Sequence, residues 1–253
     1  MLYEIVFSPT GGTQRAARFL GAALEEEARR IDLSDPDADF SACVLAPEDV
    51  CIVAVPSFGG RVPQVAVERL SRIRGGGAQA VLLCVYGNRA YDDTLLELKE
   101  TLEKTGMRCR AAVAAVAEHS IMHAFAAGRP DARDEEELRT FGERIRASLR
   151  EAPDAPAVHV PGAAPYRAYG GVPMKPKAGR ACTGCGLCAG KCPVKAIDPQ
   201  SPAKTDEKAC ISCMRCVALC PNHARRVNAA LVFAASQKMK KACEGRKPNE
   251  LFL

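Results

Sequence analysis

Eight of the thirteen cysteines fall within the 39 residues from Cys182 to Cys220, and their spacing repeats. Each run reads C-x2-C-x2-C-x3-C-P: Cys182, Cys185, Cys188 and Cys192 before Pro193, then Cys210, Cys213, Cys216 and Cys220 before Pro221. Three thiolates at this spacing wrap one iron–sulfur cubane while the fourth of the run points away. A pair of zinc sites is the alternative, because zinc also takes C-x-x-C pairs, although triplets closed by Cys-Pro are rare there. A reducing cytosol disfavours a disulfide framework. The remaining Cys43, Cys51, Cys84, Cys109 and Cys243 are scattered and read as small buried hydrophobes.

A second chemistry is written near the other end. The stretch SPTGGTQ, Ser8 to Gln14, follows the apolar run LYEIVF and precedes a stretch with helical apolar spacing. Backbone N–H groups and hydroxyls in such a turn, with the positive end of a helix behind them, enclose a phosphate without a lysine. Neither G-x-G-x-x-G nor the lysine-bearing P-loop is present. The turn resembles the flavodoxin phosphate loop, (T/S)-x-T-G-x-T, in Ser8, Thr10, Gly11 and Thr13, with Gly12 in the variable place. That resemblance implies the 5′-phosphate of FMN.

In a doubly wound sheet, the loops after the third and fourth strands complete such a site. They are PSFGGRVP, contributing Pro56, Ser57, Phe58, Gly59 and Gly60, and YGNRAYDD, contributing Tyr86, Gly87, Asn88, Tyr91 and Asp92. The chain has no Trp, so the stacking expected of a flavodoxin falls to Phe58 or Tyr91. His119, after the fifth strand, is the candidate proton donor, with a structural hydrogen-bonding role as its alternative. Arg61 and Arg89 hold either an anionic group or ordinary ion pairs.

Positioning these residues requires alternating strands and helices. LYEIVF, IDLSD (31–35), DVCIVAVP, AQAVLLCVYG and CRAAVAAV are five strands, each followed by a loop and most by an amphipathic stretch. Five such units give a flavodoxin-like, doubly wound parallel α/β sheet over residues 1–150. Residues 151–179 are rich in proline (Pro153, Pro156, Pro161, Pro165, Pro173, Pro176) and read as a linker, which as a flexible chain spans about 30 Å. Tyr166 and Tyr169 are expected to pin part of it. Residues 180–227 contain a 28-residue internal repeat and form a small pseudo-twofold α+β domain. Residues 228–253 read as a basic helix and a tail that caps one of the domains.

The two cysteine runs resemble those of two-cluster bacterial ferredoxins. Carried over by position, the resemblance gives Cys182, Cys185, Cys188 and Cys220 to one [4Fe-4S] cluster and Cys210, Cys213, Cys216 and Cys192 to the other. The combination resembles the flavodoxin–ferredoxin fusion proteins of anaerobic bacteria over most of the chain, least specifically in the linker and the tail. The function this implies is electron transfer between a redox partner protein, two clusters and FMN. A reductase acting on a small-molecule acceptor over the flavin is the alternative, and a redox sensor is a third reading.

Charge supports the division of the chain. Residues 1–150 hold 19 Lys+Arg and 23 Asp+Glu, a balance of −4, whereas residues 180–253 hold 13 and 5, a balance of +8. The basic half offsets cluster charge, and with one Phe before the closing LFL and neither Tyr nor Trp it lacks stacking platforms for nucleic acid. No segment approaches the roughly 20 apolar residues of a membrane span, and no signal-type leader is visible, so a cytoplasmic protein is expected.

Overall fold

Leu2–Val6 is apolar at every position but Glu4 and forms β1, buried along its whole length as a central parallel strand must be. The computed structural model describes residues 1–24, 27–152 and 154–253. Four more strands run parallel to β1: β2 (Ala28–Asp32), β3 (Val50–Pro56), β4 (Gln79–Tyr86) and β5 (Arg108–Val116). Their order, β2-β1-β3-β4-β5, is flavodoxin-like, with its switch point between β1 and β3. The intervening helices are α1 (Gly12–Gly21), α2 (Gln64–Leu70), α3 (Thr94–Lys104) and α4 (Ala132–Glu151). Leu20, Leu138 and Ile145 of α1 and α4 pack with Val6 and Leu83 on one face, and Leu70, Leu98 and Leu102 of α2 and α3 pack with Ile5 and Leu82 on the other.

β2 begins three residues before the apolar pattern suggests. It is an edge strand paired with β1 alone, Leu2 opposite Ala28 and Val6 opposite Asp32, and Ala28–Arg30 are exposed. An exposed edge needs no apolar alternation, so its first half carries no signal.

The proline-rich segment is laid along the first domain instead of spanning freely. The N–H of Val158 donates to the carbonyl of Cys109 at 2.9 Å, and the side chains of Val158 and Val160 join the core of the α2/α3 face. Asp93 then accepts the N–H groups of Ala163 (3.0 Å) and Arg167 (2.7 Å), while the hydroxyl of Tyr166 bonds Glu100. Valines between the prolines are what anchor it. Pro153, at its start, lies outside the described residues.

The cysteine-bearing segment is a two-stranded ribbon, β6 (Lys177–Ala178) with β7 (Arg225–Arg226), and two short helices, α5 (Leu187–Gly190) and α6 (Arg215–Ala218). Its repeat is visible in the backbone. Positive φ recurs at Gly184 and Ser212, at Gly186 and Met214, and at Lys195 and His223, each pair 28 residues apart. The N–H of Ala196 donates to Cys192 Sγ and that of Ala224 to Cys220 Sγ, both at 3.3 Å. The two runs therefore fold alike.

After this segment Asn228 caps α7 (Ala229–Met239), a helix with no buried residue. The chain then returns to the first domain, where β8 (Glu250–Phe252) pairs antiparallel with β5 and makes a sixth strand. Asn249, just before it, accepts the N–H of Val116 (2.9 Å) and donates to Asp134 (3.1 Å). No helix among the described residues is long and apolar enough to cross a membrane.

Candidate functional site

The C-terminal ends of β1, β3, β4 and β5 open onto a cleft enclosing about 770 Å³ of space between atoms, part of it open to solvent. Thr10, Gly12 and Thr13 line it from the first loop, Pro56, Ser57, Phe58 and Gly59 from the second, and Tyr86 and Gly87 from the third. No side chain caps α1 at Gly11, so Gly12 and Thr13 present the first turn of that helix to the cleft. Ser8 does not line it: its Oγ accepts the N–H of Gln14 (3.0 Å) and its own N–H donates to Ser34 Oγ (3.0 Å). Ser8 thus braces the loop from behind.

Phe58 and Arg61 exchange backbone hydrogen bonds around Gly59 and Gly60, whose φ values of 60° and 86° are those of a type I′ turn. A Cβ on Gly59 would stand 2.2 Å from the ring of Tyr169, which the proline-rich segment lays into the cleft. Burial pushes the Tyr169 hydroxyl up in pKa. Val172 follows it, and Ile211, Ser212 and Cys213 close the wall. Sequence reasoning names Tyr169 as a pin of the linker and Cys213 as a cluster ligand but brings none of these residues to the cleft, because they come from far along the chain.

The rest of the third loop does other work. Asn88 Nδ2 donates to the carbonyls of Cys243 (2.7 Å) and Gly245 (2.8 Å), and the Tyr91 hydroxyl donates to Glu250 at 3.1 Å. Asp92 pairs with Arg89 and with Arg167 at 2.6 Å, beside Gly60. These residues fasten the loop to the tail and the linker. Tyr91 therefore does not line the cleft; its ring meets Tyr86 edge-on at 5.2 Å, and the aromatic walls are Phe58, Tyr86 and Tyr169. Arg61 is held by both oxygens of Glu97, at 2.8 and 2.7 Å, which is the ion-pair reading.

His119 does reach the cleft, with its ring so close to Gly87 that a Cβ there would stand 2.7 Å away. Its Nδ1 accepts the N–H groups of Ile121 (3.1 Å) and Met122 (3.2 Å), which leaves the proton on Nε2. Burial pushes its pKa down to about 4. At neutral pH it is a hydrogen-bond donor and not an ionised acid. The ring nitrogens followed by NMR are expected to titrate with a midpoint near 4. Because the unfolded chain takes up the proton near 6.5, stability falls as pH drops from about 6.5 to about 4 and levels off below. A midpoint at 6 or higher would show that the ring is not held in this way.

In the cysteine-bearing segment, burial pushes the Cys213 thiol up to about 12, and its neighbours Cys192, Cys216 and Cys210 add to the shift. Cys192 packs in one apolar cluster with Cys210 and Cys216 and also with Cys188 of its own run, but only the cysteines of the second run are its neighbours around Cys213. The fourth cysteine of the first run thus lies with the triplet of the second. Arg225, only 2% exposed, has no carboxylate partner among the described residues: it donates to Cys188 Sγ at 3.3 Å, Thr205 Oγ1 at 2.8 Å and the carbonyls of Pro202 and Pro176. A buried guanidinium needs a counter-charge, and an anionic thiolate cluster held beside Cys188 would supply one, so the residues fit such a group. No three His, Cys, Asp or Glu among the described residues converge as around a single ion; a cubane takes one thiolate at each of four separate irons and spreads its ligands more widely.

Residues 181–225 match the family of the 4Fe-4S dicluster domain. No curated protein matches the chain. Among solved structures, two-electron reduced Megasphaera elsdenii flavodoxin is 18% identical with a TM-score of 0.39, the match covering 58% of this chain and 99% of that one. A flavodoxin from the domain Archaea is 16% identical with a TM-score of 0.42, over 59% and 99%. Oxidised flavodoxin 1 from Bacillus cereus is 19% identical with a TM-score of 0.40, over 57% and 95%. The chain thus carries an α/β sheet of flavodoxin-like strand order, followed by a cysteine-bearing segment that matches the 4Fe-4S dicluster domain over residues 181–225.

Proposed function

We propose that this chain is an electron-transfer flavoprotein that binds FMN in the cleft and two [4Fe-4S] clusters on its eight clustered cysteines, and exchanges low-potential electrons with a partner protein. Bound there, the flavin stores one or two electrons and each cluster passes one at a time. The observation that carries this reading is the wall of the cleft: Ile211, Ser212 and Cys213 belong to the iron–sulfur segment and lie against the loops that would hold the flavin. A cluster ligand at the flavin site serves electron transfer directly. Tyr169 and Val172 line the same cleft, so the chain's own side chains would narrow the room left for a small acceptor beside the flavin, which favours the carrier over the reductase.

The residues divide the work of holding the cofactor. The first turn of α1, at Gly12 and Thr13, would meet the phosphate with N–H groups and the positive end of the helix. Phe58, Tyr86 and Tyr169 would shield the ring from water, and His119 would offer its Nε2–H to an acceptor on it.

Anaerobically purified and reconstituted protein is expected to hold about eight iron atoms and one FMN per chain. Dithionite or a low-potential ferredoxin system should reduce the clusters and then the flavin, whereas NADPH alone should act slowly. Zinc in place of iron, or no flavin after FMN supplementation, refutes the assignment. Rapid stoichiometric reduction by NADPH would favour the reductase.

A further inference from the structure

The two cysteine sets stand in different surroundings. Cys213, with Ile211 and Ser212, forms part of the cleft wall, and Cys192, Cys210 and Cys216 are its neighbours. None of Cys182, Cys185, Cys188 and Cys220 lines that cleft, and Cys185 is exposed. Leu187, between Cys185 and Cys188, and Leu219, beside Cys220, are 41% and 37% exposed. Each adjoins a cysteine of the first set in the chain.

The chain flanking that set also builds a groove. Gly179–Ala181 leads into Cys182, and His223, Ala224 and Arg226 follow Cys220; together with the β6 strand they line a groove with about 1280 Å³ of space between atoms, much of it open. Lys175, Lys177, Arg180 and Arg226 give it positive charge, against one carboxylate, Glu207, already paired with Lys177 at 2.9 Å. Leu231 of α7, 45% exposed, forms part of its rim. A basic rim beside exposed leucines is complementary to an acidic protein surface with an apolar centre.

From this asymmetry we infer that the set Cys182, Cys185, Cys188 and Cys220 receives electrons from an acidic protein carrier seated on the basic groove, and that the set Cys210, Cys213, Cys216 and Cys192 delivers them to the cleft. The inference rests on the cofactors proposed above. Each docking oxidises the carrier by one electron and reduces the first set's cluster by one; two dockings, with a proton from solvent, complete a two-electron reduction of the flavin. The groove attracts by charge, so docking is fast at low salt and weakens as salt screens it.

The test uses the full-length loaded chain and a small acidic two-[4Fe-4S] ferredoxin as probe. The variant Lys177→Glu/Arg180→Glu/Arg226→Glu is expected to weaken ferredoxin binding, measured by calorimetry at low salt, by about tenfold or more, with the gap narrowing as salt rises. Arg144→Glu, on the exposed side of α4, should leave it unchanged. Iron and FMN contents are measured on every variant, so loss of the cofactor assignment shows as altered composition and loss of the docking assignment as unaltered binding in loaded protein. The second arm reads microwave-power saturation of the flavin radical in EPR: Cys213→Ala should remove the fast relaxation imposed by a nearby reduced cluster, and Cys185→Ala should preserve it. Equal binding by the groove variant and the parent, tighter binding of duplex DNA than of ferredoxin at the same salt, or relaxation lost in Cys185→Ala and kept in Cys213→Ala overturns the inference.

Discussion

Replacing Cys192 with alanine is expected to abolish the cluster of the second cysteine run, not that of its own run, and to lower iron from about eight to about four atoms per chain. Cys192 is buried, packs with Cys210 and Cys216, and adds to the raised pKa of the Cys213 thiol. Removing it leaves the second triplet without a fourth thiolate in a pocket that solvent does not reach easily. Cys220→Ala is the mirror experiment and should damage the first cluster. EPR of each reduced variant distinguishes the two. Should each substitution remove the signal of its own triplet, the crossed pairing is wrong, and with it the assignment of Cys213 to a cluster completed by Cys192.

The second large effect lies outside the two cysteine runs. Asp134 is fully buried at the start of α4 and is bound by Arg129 through two hydrogen bonds, at 3.0 and 2.5 Å, by Asn249 at 3.1 Å and by Arg246 at 3.0 Å. Arg129→Met should cost about 3–5 kcal/mol, because the remaining charge is left buried with fewer partners. The exposed pair Arg139–Glu135 is the control, and Arg139→Met should cost no more than about 0.5 kcal/mol. Urea unfolding followed by far-UV circular dichroism reads both, and equal effects would falsify the role given to this network.

The same network sets an acid limit. Burial works to raise the Asp134 carboxyl, but hydrogen bonds from Arg129, the Asp131 backbone and Asn249 outweigh it and hold its pKa below the ordinary value. Asp131 is held down as well, chiefly by Arg246. The stability these carboxylates add is complete above the unfolded value of about 4 and is lost as pH falls below it toward the depressed folded values.

How far the sequence speaks for itself depends on range. The five parallel strands are legible because apolar runs alternate with amphipathic stretches, and the cysteine runs are legible because ligand spacing is local. Thr10, Gly12 and Thr13 are legible for the same reason, as a turn between a strand and a helix. Tyr91 illustrates the limit: it stands in the expected loop, yet Glu250, 159 residues away, takes its hydroxyl. Tyr169 and Ile211–Cys213 reach the cleft through tertiary placement alone, and β8 is three residues long, too short for any alternation to announce it. What the sequence hides is the return of the chain to its own beginning.

That return changes what kind of object the iron–sulfur segment is. It is bracketed by the valines that enter the α2/α3 face on one side and by β8 against β5 on the other, so it is inserted into the flavodoxin-like domain and not hung from it. An insertion held at two junctions cannot swing as a tethered appendage does. In the proposed carrier, passage of electrons inside the molecule would then be a unimolecular event at a fixed separation, independent of protein concentration. Exchange of the segment for a foreign cluster domain has to respect both junctions, since a cut at residue 151 alone also removes Tyr169 from the cleft and the sixth strand from the sheet.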